Sequence, residues 1–184
     1  MEEEMQFIVD AAKESMESAI QHLEKEMLNI RAGKANPIML SGVKVDYYGS
    51  PTPLSQVANI NSPDGRTLTV QPWEKSMLAD IEKAILIANL GFNPMNNGES
   101  IIINIPALTE ERRKELAKLA KAESENAKIS IRTARKDANT EIKNSEASKD
   151  VQKNYEIDIQ NLTDQYITRA EQIFSLKEKE ILTV

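Results

Sequence analysis

A chain of 184 residues with 40% hydrophobic and 28% charged residues is long enough for one ordinary domain, or for a modest domain plus a smaller one, each with a buried core. Aromatics at 4% leave that core to Leu, Ile, Val, Ala and Met, and the absence of cysteine excludes disulfides, thiolate metal sites and cysteine nucleophiles. A formal net charge of −6 speaks against a polyanionic partner only if the charge is evenly spread, and it is not.

The first segment is acidic, with 3 basic and 8 acidic groups over residues 1 to 31. Its start, Met1-Glu2-Glu3-Glu4, is no secretory signal, and no apolar run in the chain approaches the roughly 20 residues of a membrane span. A cytosolic home is therefore expected, and the sequon Asn161-Leu162-Thr163 is read as chance. Met5, Ile8, Ala12, Met16, Ile20, Leu23, Met27 and Ile30 recur every three or four positions, which predicts one long amphipathic helix ending near Gly33, with Pro37 beyond it.

From Leu40 to Pro106 the texture changes to Gly, Pro and β-branched residues. Strands are predicted at Val43 to Tyr48, before a turn Gly49-Ser50-Pro51, and at Val57 to Asn61 and Thr67 to Gln71 around the turn Ser62-Pro63-Asp64-Gly65. A helix capped by Ser76 should bury Met77, Leu78, Ile81, Ile85 and Leu86 and stop at Gly91, and Ile101 to Ile105 closes the region as a strand.

Thr109 is a candidate cap for a second long helix, opened by Glu110 and Glu111 and free of Gly and Pro as far as Asn144. After a break around residues 144 to 150, Val151, Tyr155, Ile159, Leu162, Tyr166, Ile173 and Phe174 mark a third. Three such helices bury their stripes most economically as one bundle. This gives an α+β protein of two domains: residues 1–31 and 108–184 form the three-helix bundle, and 32–107 form a small inserted β/α/β domain. Two crossings join them, with Gly33, Lys34, Pro37, Pro106 and Ala107 as a two-stranded hinge.

The charge reverses in the second long helix, where residues 110 to 137 carry 9 basic groups against 6 acidic. At about 100° per residue, Lys114, Lys118, Lys121, Lys128, Arg132, Arg135 and Lys136 share a sector of roughly 100°, with Arg113 at its edge. Leu116, Leu119, Ala120, Ala127, Ala134 and Ala138 are read as the opposite, core-facing side. A solvated face partly neutralised by Glu110, Glu111 and Glu125 is the plain alternative. One positive helix in an acidic protein favours a phosphate backbone instead, without any base reading.

Catalytic chemistry finds no foothold. His22, the one histidine, sits beside Leu23 as a bundle residue, and there is no phosphate loop, dinucleotide fingerprint or zinc-hydrolase motif. No cofactor or metal is expected. An enzyme would have to use the inserted domain around Asp46, Tyr47 and Tyr48, and a protein-binding helical scaffold would need an exposed apolar stripe.

Several stretches in the same order carry a resemblance: Asn29-Ile30-Arg31-Ala32-Gly33-Lys34-Ala35-Asn36-Pro37, Tyr47-Tyr48-Gly49-Ser50-Pro51-Thr52-Pro53-Leu54, Asp80-Ile81-Glu82-Lys83-Ala84-Ile85, Leu90-Gly91-Phe92-Asn93-Pro94, Leu108-Thr109-Glu110-Glu111-Arg112-Arg113-Lys114-Glu115-Leu116 and Ile131-Arg132-Thr133-Ala134-Arg135-Lys136-Asp137-Ala138-Asn139. Over essentially its full length the chain resembles the bacterial ribosome recycling factors. That resemblance implies an L-shaped monomer whose bundle lies on large-subunit ribosomal RNA, and whose inserted domain is pushed by elongation factor G as its GTP hydrolysis drives subunit separation. The factor itself hydrolyses nothing. Arg132 and Arg135 carry over as RNA contacts, with Arg113 and Lys136, and the basic sector adds Lys121 and Lys128 to the expected RNA-binding set. Lys34 stands where the family usually has Arg, and Ala107 where it often has proline.

Overall fold

The computed structural model describes residues 2–30, 32–91 and 93–183; Arg31 and Phe92, which fall in two of the family-like stretches, lie outside them. The chain divides into two units, Met1–Ala32 with Glu110–Val184, and Gly33–Thr109.

Helix α1 spans Glu2–Asn29 and buries Met5, Ile8, Ala12, Met16, Ile20, Leu23 and Met27, the stripe that the spacing of three and four predicts. His22 is exposed beside buried Leu23.

In the second unit, β1 (Lys44–Tyr47) and β2 (Ser50–Pro53) form a hairpin. The turn is Tyr48-Gly49 and not Gly49-Ser50-Pro51: both residues have positive φ, 50° and 83°, as a tight two-residue turn requires. Asp46 Oδ1 accepts the Gly49 N–H at 2.8 Å and holds it. Pro51 and Pro53 are tolerated because β2 pairs only with β1.

A short helix α2 (Leu54–Val57) leads into β3 (Ala58–Asp64) and β4 (Thr67–Pro72), so β3 runs through the predicted turn and the chain reverses at Gly65-Arg66. The predicted cap Ser76 lies inside a 3₁₀ turn, Lys75–Met77, ahead of α3 (Leu78–Ile87), whose start has no side-chain cap. Leu86 is exposed and not part of its buried stripe. A three-residue strand that the sequence pattern does not announce, β5 (Pro94–Asn96), pairs with β6 (Ile101–Asn104) and completes an antiparallel sheet ordered β3-β4-β6-β5. Leu68 and Val70 of β4 and Ile101 and Ile103 of β6 alternate onto one face and pack with Ile81 and Ile85 of α3.

The segments flanking this sheet are tied to it. Asn36 Oδ1 accepts the Ile38 N–H at 3.1 Å and caps a 3₁₀ turn, Pro37–Leu40, so Pro37 belongs to the folded unit and not to a free crossing. The β3–β4 turn accepts a backbone hydrogen bond from each side: Ala35 N to Gly65 O at 2.9 Å, and Ile105 N to Arg66 O at 2.7 Å. Asp64 braces that turn by accepting from Arg66 N at 2.7 Å and Thr67 Oγ1 at 3.1 Å, which holds its carboxyl below the usual carboxylate range. Among the described residues, Gly33-Lys34 on one side and Pro106-Ala107 on the other lie outside these two backbone bonds.

Helices α4 (Glu110–Asn144) and α5 (Lys149–Leu182) complete the bundle. Ser148 starts α5, its Oγ accepting from Val151 N at 3.4 Å. Met5, Ile8 and Ala12 pack with Ala138, Ile142 and Ile159, so α4 runs antiparallel to α1 while α5 runs parallel to it. Near the middle, Glu17 of α1 clamps α5: Oε2 accepts from Tyr166 Oη and Arg169 Nη1, both at 2.7 Å, and Oε1 accepts from Arg169 Nη2 at 3.2 Å. The Arg169 bond first, then that from Tyr166, pull the Glu17 carboxyl below its ordinary 4.5. A carboxyl depressed on folding stabilises fully above its unfolded value and loses that contribution as pH falls through the folded one. Glu17→Gln should therefore melt earlier than the unaltered chain at neutral pH, and the gap should close as pH falls below 4.5, read by thermal unfolding across a pH series.

Candidate nucleic-acid interface

The stripe that α4 buries is Leu116, Ala120, Ser124, Ala127, Ile131, Ala138 and Ile142. Two members of the expected core side depart from it: Leu119 is 49% exposed and Ala134 is only partly buried. Ile131 and Ile142, the bulky members, shift the centre of the stripe round the helix. The core therefore lies beside the basic sector, roughly 110° away at about 100° per residue, and not opposite it. Cations on the near flank consequently touch α5, while those on the far flank face outward.

That difference sorts the predicted contacts. Lys128, on the near flank, has a side chain only 15% exposed and sits between Glu125 Oε1 at 3.5 Å and Glu171 Oε1 at 3.2 Å. These two carboxylates, 50% and 58% exposed, engage its ammonium. Arg135, also near-flank and partly buried, meets no carboxylate among the described residues; its Nη1 donates to Gln160 Oε1 at 3.2 Å. Arg132, Lys136, Lys118 and Lys121 are exposed, and among the described residues they form no ion pair or hydrogen bond through their side chains. Arg113 is partly buried, and Lys114 pairs at 3.3 Å with exposed Glu110, an interaction worth little in water.

Towards the C-terminal end of α4 the side chains converge. Arg132, Arg135, Lys136, Asn139, Lys143 and Gln160 help to line one open groove of about 640 Å³. No carboxylate lines it. Lys143 is a cation that the sequence pattern did not single out, although it follows Lys136 by seven residues and so repeats its place on the helix face. It lies 3.9 Å from Glu156 Oε1 and is 69% exposed, a loose pair that leaves it free to turn outward. Gln160 belongs to another helix and carried no signal in the sequence. Lys121 lies one to two turns further from the groove than Lys128, and 11 residues from Arg132 at about 1.5 Å each puts the two roughly 16 Å apart along the axis. The positive surface is thus a strip with a dense end.

This arrangement suits a ribose-phosphate backbone. Forked guanidinium donors and ammonium groups stand together in an open groove with no carboxylate among the described residues that line it.

The second unit offers no comparable chemistry. One open depression of about 440 Å³ there is lined by Pro37, Ile38, Leu40, Ile60, Trp73 and neighbouring small or neutral polar residues, with no acid or base among them. Asp46 is engaged in the hairpin turn, and the Tyr47 and Tyr48 hydroxyls both donate to Glu74, at 3.1 and 3.2 Å. Those bonds to Glu74 push both tyrosines above their ordinary 10.0, so neither serves as a ready proton donor near neutrality. Among the described residues no group of three or more His, Asp or Glu side chains could hold a metal ion, and no helix is long and apolar enough to cross a membrane.

Residues 23–182 match the family model described as ribosome recycling factor. The chain is 61% identical over 187 residues to the ribosome-recycling factor of Flavobacterium johnsoniae, with 100% of each chain covered. It superposes on a solution structure of the ribosome recycling factor with a TM-score of 0.82 at 34% identity, covering 98% of each chain. A second structure, of the T. thermophilus ribosome recycling factor and the E. coli elongation factor G bound to the E. coli post-termination complex, matches with a TM-score of 0.65 at 39% identity, covering 97% of this chain and 99% of that one.

Proposed function

Because the chain belongs to the ribosome recycling factor family, we propose that it binds the post-termination ribosome in the cytoplasm through large-subunit RNA, and that with elongation factor G and GTP it parts the subunits for another round of initiation. The observation that carries the binding half is the acid-free groove in which Arg132, Arg135 and Lys136 stand with Lys143. These residues, with Lys121 as an outlying contact, hold the backbone of the RNA, while Lys128 steadies the bundle beneath them. No group of the protein needs to make or break a bond, since the elongation factor's GTP hydrolysis supplies the work.

The mechanical half follows from stiffness. Three helices bound along their length make a rod, phosphate contacts fix its position, and force on the inserted unit must be taken up where the backbone is least tied. Ala35 and Ile105 are pinned by the β3–β4 turn, which confines rotation to Gly33-Lys34 and Pro106-Ala107. The protein works as a monomer.

Two measurements test this. Splitting of post-termination complexes should require the protein, elongation factor G and GTP together; splitting without the elongation factor would contradict the division of labour. Large-subunit affinity should fall with salt, each neutralised phosphate adding about 0.7 to 0.9 to the log–log slope, so three to four contacts give a slope near 3. A flat response would contradict phosphate contacts.

A further inference from the structure

We infer that Gln160 of α5 is a positioning residue that aims Arg135 at phosphate while leaving its charge unspent, an inference that rests on the RNA-binding reading above. Arg135 Nη1 donates to Gln160 Oε1 at 3.2 Å, and Gln160 Nε2 donates to Asp164 Oδ1 at 2.9 Å. The second bond fixes the amide: flipped, it would set N–H against guanidinium N–H and oxygen against carboxylate oxygen. Only an acceptor can therefore face Arg135. One of five N–H donors is engaged, and the rest of the fork remains for a ligand.

The neutrality of residue 160 is what distinguishes this place. On the same helix, carboxylates face other cations of α4: Glu171 holds Lys128 at 3.2 Å, and Glu156 lies 3.9 Å from Lys143. Between them, where a carboxylate could form a two-point ion pair with Arg135, stands an amide. Asp164, one turn further along α5, accepts from that amide. An amide tethers a guanidinium without neutralising it, so less side-chain freedom is left to be lost when phosphate arrives.

The test is equilibrium binding to purified large subunits over a salt series, using Arg135→Gln, Gln160→Glu, Gln160→Leu and the double Arg135→Gln/Gln160→Glu. Gln160→Glu should weaken binding about tenfold and lower the salt slope by about 0.7 to 0.9, as Arg135→Gln does, and the double variant should be no worse than either. Gln160→Leu, which keeps the charge but drops the tether, should bind about threefold more weakly with the slope intact. Losses that add in full would mean that the new carboxylate acts only as a general negative charge, and with a Gln160→Leu protein that binds normally either result overturns the positioning role. An Arg135→Gln protein that binds normally also overturns it; the RNA-binding reading survives that result if Arg132→Glu still weakens binding, and falls with it if Arg132→Glu is silent too. Unchanged helicity and melting confirm that the fold persists, as an exposed site such as Gln160 allows.

Discussion

Arg132→Glu is expected to lower large-subunit affinity by on the order of a hundredfold and to leave the fold untouched. A hydrogen-bonded charge contact is worth about 1.5 to 3 kcal/mol, and about 1.4 kcal/mol corresponds to a tenfold change. Reversal removes the contact and sets a carboxylate against phosphate, so the effect should exceed that of Arg132→Gln by about tenfold, and the salt slope should fall by more than one phosphate's share. Stability should change by no more than about 0.5 kcal/mol, because Arg132 is exposed and unpaired among the described residues. Lys128→Glu is the informative comparison. It turns a pair with Glu125 and Glu171 into a cluster of three carboxylates, so melting should drop while subunit affinity falls less. Sedimentation with purified subunits and thermal unfolding of the free protein separate the two; equal behaviour of the variants would mean that the near and far flanks of α4 do not differ in role.

The sorting of those two residues also marks how far sequence reaches. The α1 stripe was legible residue by residue, because a helix that meets its neighbours on one side repeats its apolar positions regularly. On α4 the basic sector was equally legible, but the buried side was misplaced: alanines weigh little in a pattern, and Leu119 is apolar yet exposed. The pairing of Lys128 with Glu171 and of Arg135 with Gln160 had no local signal at all, since the partners are 43 and 25 positions away on another helix. In the inserted unit the strands rich in β-formers are legible, whereas β2, half of it proline, and the three-residue β5 are not. Tyr48 continues the strand pattern of Val43 to Tyr48, yet it takes positive φ, which a bulky residue rarely does, in a turn held by Asp46. Pro37, which sequence places at the end of the first crossing because it cannot continue α1, is the first residue of a turn capped by Asn36.

Gly33→Ala is expected to slow subunit splitting several-fold while leaving large-subunit binding intact, and the reason lies in two facts about one backbone position. Its φ is +78°, which costs an L-residue about 1 to 2 kcal/mol, and a Cβ there would lie 3.0 Å from both Cγ and Cδ1 of Leu108. The first crossing is thus seated against a side chain of the second, and bulk at either one alters how both can turn. The strain and the collision are separable. Leu108→Ala in the Gly33→Ala background frees the space and leaves the φ cost, so splitting should recover in part, and the two substitutions should be non-additive by about 0.5 to 1 kcal/mol in the stability of the protein. Neither residue belongs to the α4 groove, so affinity for the large subunit serves as the internal control. A Gly33→Ala protein that splits ribosomes at the unaltered rate would show that rotation is taken up elsewhere, and Pro106-Ala107, the remaining untied stretch, would then have to supply it alone.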